Sequence, residues 1–262
     1  MKHAKLTIFT LLSGLFLWGS GAGAESAPVI PAITAGHNLE GVWKLESSTD
    51  FGPKAERYGV SYTVYPYRPD FQAAYDKHVL EESQGRPVQT AGSGCLPSGL
   101  GRMMTGGGPP LEIMQNQRQV VVYKENGGLH RIHLDRDHLP ADEIYPTFYG
   151  DAVGRWEGDT LVVDTIGLGA QPYIDARAVY SNDSAHIVER FRRVDADTLE
   201  VQVTITDPKA LTRPITATAI HKLQPKYELQ EYYCTNERHR QGEGADQSVV
   251  LPATGAANSG KP

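Results

Sequence analysis

The sequence predicts an all-β domain whose strands close into an antiparallel barrel with one short helix and one long loop, a β-sandwich being the alternative. Three observations predict it. Apolar and polar residues alternate with period two along much of the chain, most cleanly at 198–206, where Leu199, Val201, Val203 and Ile205 interleave with Glu200, Gln202 and Thr204. Clusters of Asp, Asn, Gly and Pro separate these runs at short intervals. So many strands must also dispose of their open edges, and closing the sheet into a barrel removes edges altogether.

Taken in order, 39–46 gives the first strand and 111–115 the next. Residues 118–124 and 129–134 flank Asn126-Gly127-Gly128, a hairpin signal because Gly tolerates the positive φ of tight turns. The runs 153–156 and 160–166 flank Glu157-Gly158-Asp159 in the same way. The runs 186–193, 198–206, 215–223 and 229–234, broken by Asp195-Ala196-Asp197, Asp207-Pro208 and Gln224-Pro225, read as a four-stranded meander. A helix is expected at 70–82, with Phe71, Ala74, Tyr75 and Val79 on one side and Asp70 as cap. Residues 84–110, with eight glycines and four prolines, read as an irregular flap.

The ends place the chain outside the cytoplasm. Residues 1–24 have a signal peptide's three parts: Lys2 and Lys5, a 13-residue apolar run at 6–18, and small residues ending at Ala24. A membrane-spanning helix needs roughly 20 apolar residues, so removal is expected rather than anchoring. Residues 25–36 and 241–262 read as flexible tails, leaving 37–240 as one domain. Cys95 and Cys234 are the chain's two cysteines, and export predicts that they pair, two free thiols or half of a metal site being the alternative. Such a bridge would tether the flap near the last strand.

Charge and motifs exclude several function classes. Removing Lys2 and Lys5 takes the formal net charge from −6 to −8, which disfavours phosphate backbones and anionic lipid. Arg190, Arg192 and Arg193 form a basic cluster, but Glu189, Asp195 and Asp197 stand beside them. The chain has no GxSxG elbow, no Walker loop and no Rossmann glycine pattern.

Gly41-Val42-Trp43 in the first strand, with the up-and-down strand series, resembles the lipocalin-like barrels. From 39 to 236 the chain also resembles a large family of exported, mostly uncharacterised soil-bacterial proteins. That likeness is carried by GRWEGDTLVVDTIG at 154–167, HIVERFRRVDADTLE at 186–200, ITDP at 205–208 and LQEYYC at 229–234. It departs from the family's pattern at Asp151 and at 179–185. The resemblance implies a fold and export, and no reaction.

Four groups of residues offer chemistry. Period two puts Arg131, His133 and Asp135 on one strand face, able to set an imidazole between a cation and a carboxylate, and His130, Ile132 and Leu134 on the other. The loop that follows holds Asp137, His138, Asp142 and Glu143, acidic enough for a cation but at no recognised metal-ligand spacing. At 186–193, Glu189 alternates into the apolar face of Ile187 and Phe191, while His186 and Arg190 share the opposite face. In the last run, Glu231 and Tyr233 share a face and could offer an acceptor and a donor to a ligand, as 13 tyrosines against six phenylalanines invite.

The expected function is an exported barrel that binds a small, partly apolar molecule, aromatic or terpenoid-like, in its interior. The alternative is a cofactor-independent isomerase, lyase or hydrolase in the same cavity. His186, Glu189, His133 and His138 are the candidate catalytic residues, and Glu231, Tyr233, Arg190 and Arg131 the candidate ligand-binding ones. No metal and no organic cofactor is expected, the partner is a small molecule, and the oligomeric state is open.

Overall fold

The period-two pattern of the sequence becomes a pattern of burial. In the computed structural model the described residues are 35–86, 97, 99–125, 128–169, 174, 184–231, 239–241 and 248–250. A short 3₁₀ turn at Ala35–His37 leads into β1 (Gly41–Ser48), β2 (Lys54–Arg57), β3 (Val60–Thr63), α1 (Pro69–Ser83) and α2 (Leu100–Thr105). There follow β4 (Leu111–Gln115), β5 (Gln119–Lys124), β6 (Gly128–His133), β7 (Asp151–Glu157), β8 (Thr160–Ile166), β9 (His186–Arg193), β10 (Thr198–Thr206) and β11 (Ile215–Leu223). β12 (His239–Gln241) and β13 (Ser248–Val250) pair only with each other, partly within the stretch read as a tail.

Nine strands form a closed barrel in the order β1-β11-β10-β9-β8-β7-β6-β5-β4, with β1 hydrogen-bonded to both β4 and β11. This resolves the choice between barrel and sandwich. A ring with an odd number of strands cannot alternate direction all the way round, so one neighbouring pair must run parallel. That pair is β6 and β7, and it is ladder-bonded only at Ile132 with Ala152 and His133 with Val153. A parallel connection needs a long crossover, and residues 134–150 supply it. The barrel wall is therefore weakest beside Gly128–Arg131, where β6 has β5 on one side and no β7 partner on the other.

The interior is packed. Val120, Val122, Ile132, Leu161, Val163, Ile187, Phe191, Leu199, Val201, Val203, Ile205, Ile215 and Ala217 belong to one continuous buried core. The hollow expected along the barrel axis is thus occupied by apolar side chains. On the inner face of β7, Gly154 makes room for them: a methyl group there would lie 2.7 Å from Ile132 and 2.9 Å from Leu134.

The long Gly- and Pro-rich segment is not wholly irregular, as the sequence had led us to expect. It contains α2, whose Leu100, Met103 and Met104 are fully buried against β10 and β11. Six residues between Gly99 and Gly106 are too few to show helical periodicity in sequence. The helix is held by its carbonyls: Lys124 Nζ donates to Met103 and Gly106 at 2.9 Å each, and His221 Nε2 donates to Met104 at 3.0 Å. Burial, assisted by Arg102, brings the Lys124 amine down to about 8, and burial brings His221 down to about 4.

Other differences from the sequence reading have local causes. The run expected as a strand at 229–234 is non-strand at 229–231, and the rest lies outside the described residues. Its place on the free edge of β11 is taken by β1. Instead, Tyr227 Oη and the Gln230 amide both donate to Glu125. Helix α1 begins at Pro69, suited to a first helical turn, with Arg68 as N-cap and no side-chain cap, so Asp70 lies one residue inside rather than capping. Tyr75 and Val79 are its buried residues, and Ala74 is exposed. The β2–β3 hairpin, unread in the sequence, turns at Tyr58 and Gly59, both at positive φ. Cys95 and Cys234 lie outside the described residues.

Candidate functional site

The weak seam between β6 and β7 opens into a cleft of about 320 Å³. Its floor and walls come from β6 (Leu129, Arg131, His133), from the turn at Phe148 and Tyr149, and from Ala152 of β7. Gly150 makes the turn into β7 with φ +65°, and a methyl group there would stand 2.3 Å from the Ile166 carbonyl oxygen. The cleft is therefore a consequence of topology: two parallel strands that touch for two residues, then diverge around a tight turn.

Its polar groups are unevenly satisfied. Asp151 is 8% exposed and heavily bonded: Arg136 donates to it, His138 Nδ1 lies 2.8 Å away, and the Leu139 amide donates at 3.1 Å. Burial alone would raise this carboxyl, but the Arg136 and His138 bonds overcome it and hold it at about 2. Asp135 is paired with Arg118 at 2.7 Å. Arg131 is left without a carboxylate partner among the described residues. Burial, with Arg136 nearby, lowers the His133 pKa, so its imidazole is neutral at pH 7.

Behind Asp151 a chain of hydrogen bonds runs across the outer face of β7 and β8. His138 Nδ1 meets Asp151, His138 Nε2 meets Asp164 at 3.1 Å, and His186 Nε2 meets the other Asp164 oxygen at 2.9 Å. With carboxylates at both ring nitrogens, His138 makes both hydrogen bonds only with both nitrogens protonated. The structure thus brings together His138 and His186, nominated separately from sequence, through Asp164, which was not nominated. Asp164 interrupts the outward face of an aliphatic strand, and that interruption was the available signal. Among the described residues no three His, Cys, Asp or Glu side chains are arranged to enclose a metal ion.

No protein-family model matches the chain, and no curated protein matches it. The likeness to exported soil-bacterial proteins therefore rests on the sequence stretches alone, and the closed barrel is what agrees with a lipocalin-like fold.

Glu189 is fully buried, as alternation with Ile187 and Phe191 implies, and its Oε2 lies 2.9 Å from Nε2 of His130, itself fully buried. His130 was placed on the apolar face by periodicity but not nominated. Glu189 and His186 stand on opposite faces of β9, so they cannot act together on one substrate. Arg190 points outward and pairs with Glu157 at 3.2 Å, away from the cleft. Glu231 is exposed rather than turned into a cavity, and Tyr233 lies outside the described residues. Of the nominated residues, Arg131 and His133 line the cleft, and His138 supports it through Asp151.

Proposed function

We propose that the chain is an exported β-barrel protein that binds a small, partly apolar molecule, aromatic or terpenoid-like, in the cleft at the β6–β7 seam rather than along the barrel axis. The observation that carries this reading is the cleft of about 320 Å³, within the size range of small-molecule sites. Leu129, Phe148, Tyr149 and Ala152 offer it apolar surface, and Arg131 and His133 offer it donors. Export is supported by the three-part layout of residues 1–24. The test is a thermal-shift screen of aromatic and terpenoid compounds on the mature chain. A ligand that prefers the folded state at 100 times its Kd adds about 2.7 kcal/mol and raises the midpoint. Stabilisation that disappears in Leu129→Trp, which fills the mouth from a half-exposed position, supports the reading. Stabilisation unchanged in that variant, or absent from the whole panel, contradicts it.

A second reading, cofactor-independent acid-base catalysis, is favoured by His133. A neutral imidazole in a cleft beside a guanidinium is equipped to accept a proton while the cation holds a developing anion. Turnover of chromogenic aryl esters that is lost in His133→Ala, with the unfolding midpoint unchanged, supports it. Turnover that survives His133→Ala removes it.

A further inference from the structure

Behind the cleft, inside the barrel wall, four buried polar atoms have no hydrogen-bond partner among the described residues: His130 Nδ1, Glu189 Oε1, Tyr149 Oη and Thr165 Oγ1. Each buried polar group left unmade costs about 1–3 kcal/mol, so four in one region of an otherwise apolar core are expensive. They stand on adjoining elements. His130 and Glu189 are bonded to each other through their other atoms. Thr165 pairs in register with Ile187, two residues from Glu189 on β9. The Tyr149 ring lies 6.2 Å from the His130 ring, centroid to centroid.

Tyr149 is the shared member. It lines the cleft, while its hydroxyl is sealed from solvent beside Gly128. We propose that these four groups form a buried polar subsite for the hydroxyl of the cleft's ligand, reached past Tyr149, with the ligand's apolar body remaining in the cleft. The inference rests on the cleft being a ligand site.

The chemistry of the set selects the group. Tyr149 and Thr165 can each donate, and Glu189 Oε1 as a carboxylate oxygen accepts. With Nε2 donating to that carboxylate, Nδ1 of the neutral His130 ring accepts. Burial pushes the Tyr149 phenol up to about 12, so it carries its proton at neutral pH. A hydroxyl both donates and accepts and so answers such a mixed set. A ligand carboxylate would be set against Glu189, and a hydrocarbon end would satisfy none of the four.

The unpaired hydroxyls make the proposal separable from a purely structural role. Tyr149→Phe and Thr165→Val remove unsatisfied groups while keeping shape, so the thermal midpoint should hold or rise. The experiment is calorimetric titration of the mature chain with phenol and with toluene. Phenol is expected to bind about tenfold tighter than toluene. In the Tyr149→Phe/Thr165→Val double variant that preference should collapse. Equal binding of the two probes to the unaltered chain, or a phenol preference that survives the double substitution, overturns the subsite and leaves the cleft standing. If instead neither probe binds, or both bind Leu129→Trp undiminished, the cleft reading fails, and the subsite with it.

Discussion

His130 Nε2 and Glu189 Oε2 meet 2.9 Å apart inside the barrel, and neither side chain reaches solvent. A buried pair of this kind is costly to break from one side, because the remaining partner keeps its desolvation cost without its compensation. Glu189→Ala is expected to cost about 3–5 kcal/mol in urea unfolding. The double variant His130→Leu/Glu189→Leu should be more stable than Glu189→Ala alone. Additive losses would show that the two groups are not coupled.

Acid should weaken the fold in two separate windows. His221 is held near 4 in the folded chain against an ordinary 6.5. Below pH 6.5 the unfolded chain takes up a proton that the folded chain refuses, so stability falls until about pH 4, by about 3 kcal/mol at most. Asp151, held at about 2 against 3.8, gives stability that is complete above pH 3.8 and is lost toward pH 2. His221→Gln should flatten the upper window and leave the lower one. An unchanged profile between pH 6.5 and 4 would contradict the burial argument.

Helix α2 should behave as part of the core, not as a loose flap. Met103 is fully buried, and Met103→Ala is expected to cost about 2–5 kcal/mol. Leu129→Ala, at a half-exposed cleft position, should cost under about 1 kcal/mol. Urea midpoints of the two variants settle the comparison, and equal losses would mean that α2 is not part of the core.

If the chain is exported and Cys95 and Cys234 pair, the bridge closes a loop of about 140 residues and contributes about 4–5 kcal/mol in the chain-entropy model. Peptide mapping without reduction should recover the two cysteines in one linked fragment. Recovery of two free thiols would remove the tether.

The strands were legible because alternation is local: 160–166, 186–193, 198–206 and 215–223 are bounded in the structure where their patterns begin and end. The pairing of sequential neighbours was legible too, since β5–β6, β7–β8 and β9–β10–β11 pair as their turns imply, but the way the ring closes was not. The parallel β6–β7 seam, and with it the cleft, follows from closing a ring with an odd number of strands, which no single segment records. The same non-local fact bears on 229–231, read as the start of a strand and found non-strand, since β1 had already filled the edge of β11. Burial of Glu189 could be read from its apolar neighbours, but its partner His130 lies 59 residues away, and only the fold brings them together. Asp164 shows in sequence only as a break in an aliphatic strand face, and its partner is set when the loop after β6 folds His138 over it.

The most direct test is to follow backbone amide shifts of residues 25–262 by NMR during titration with phenol. Changes concentrated at Leu129, Arg131, Phe148, Gly150 and Ala152, with the distant β10–β11 ladder unmoved, are the predicted result. Changes centred on β10 and β11, or spread evenly round the barrel, would contradict a binding site at the β6–β7 seam.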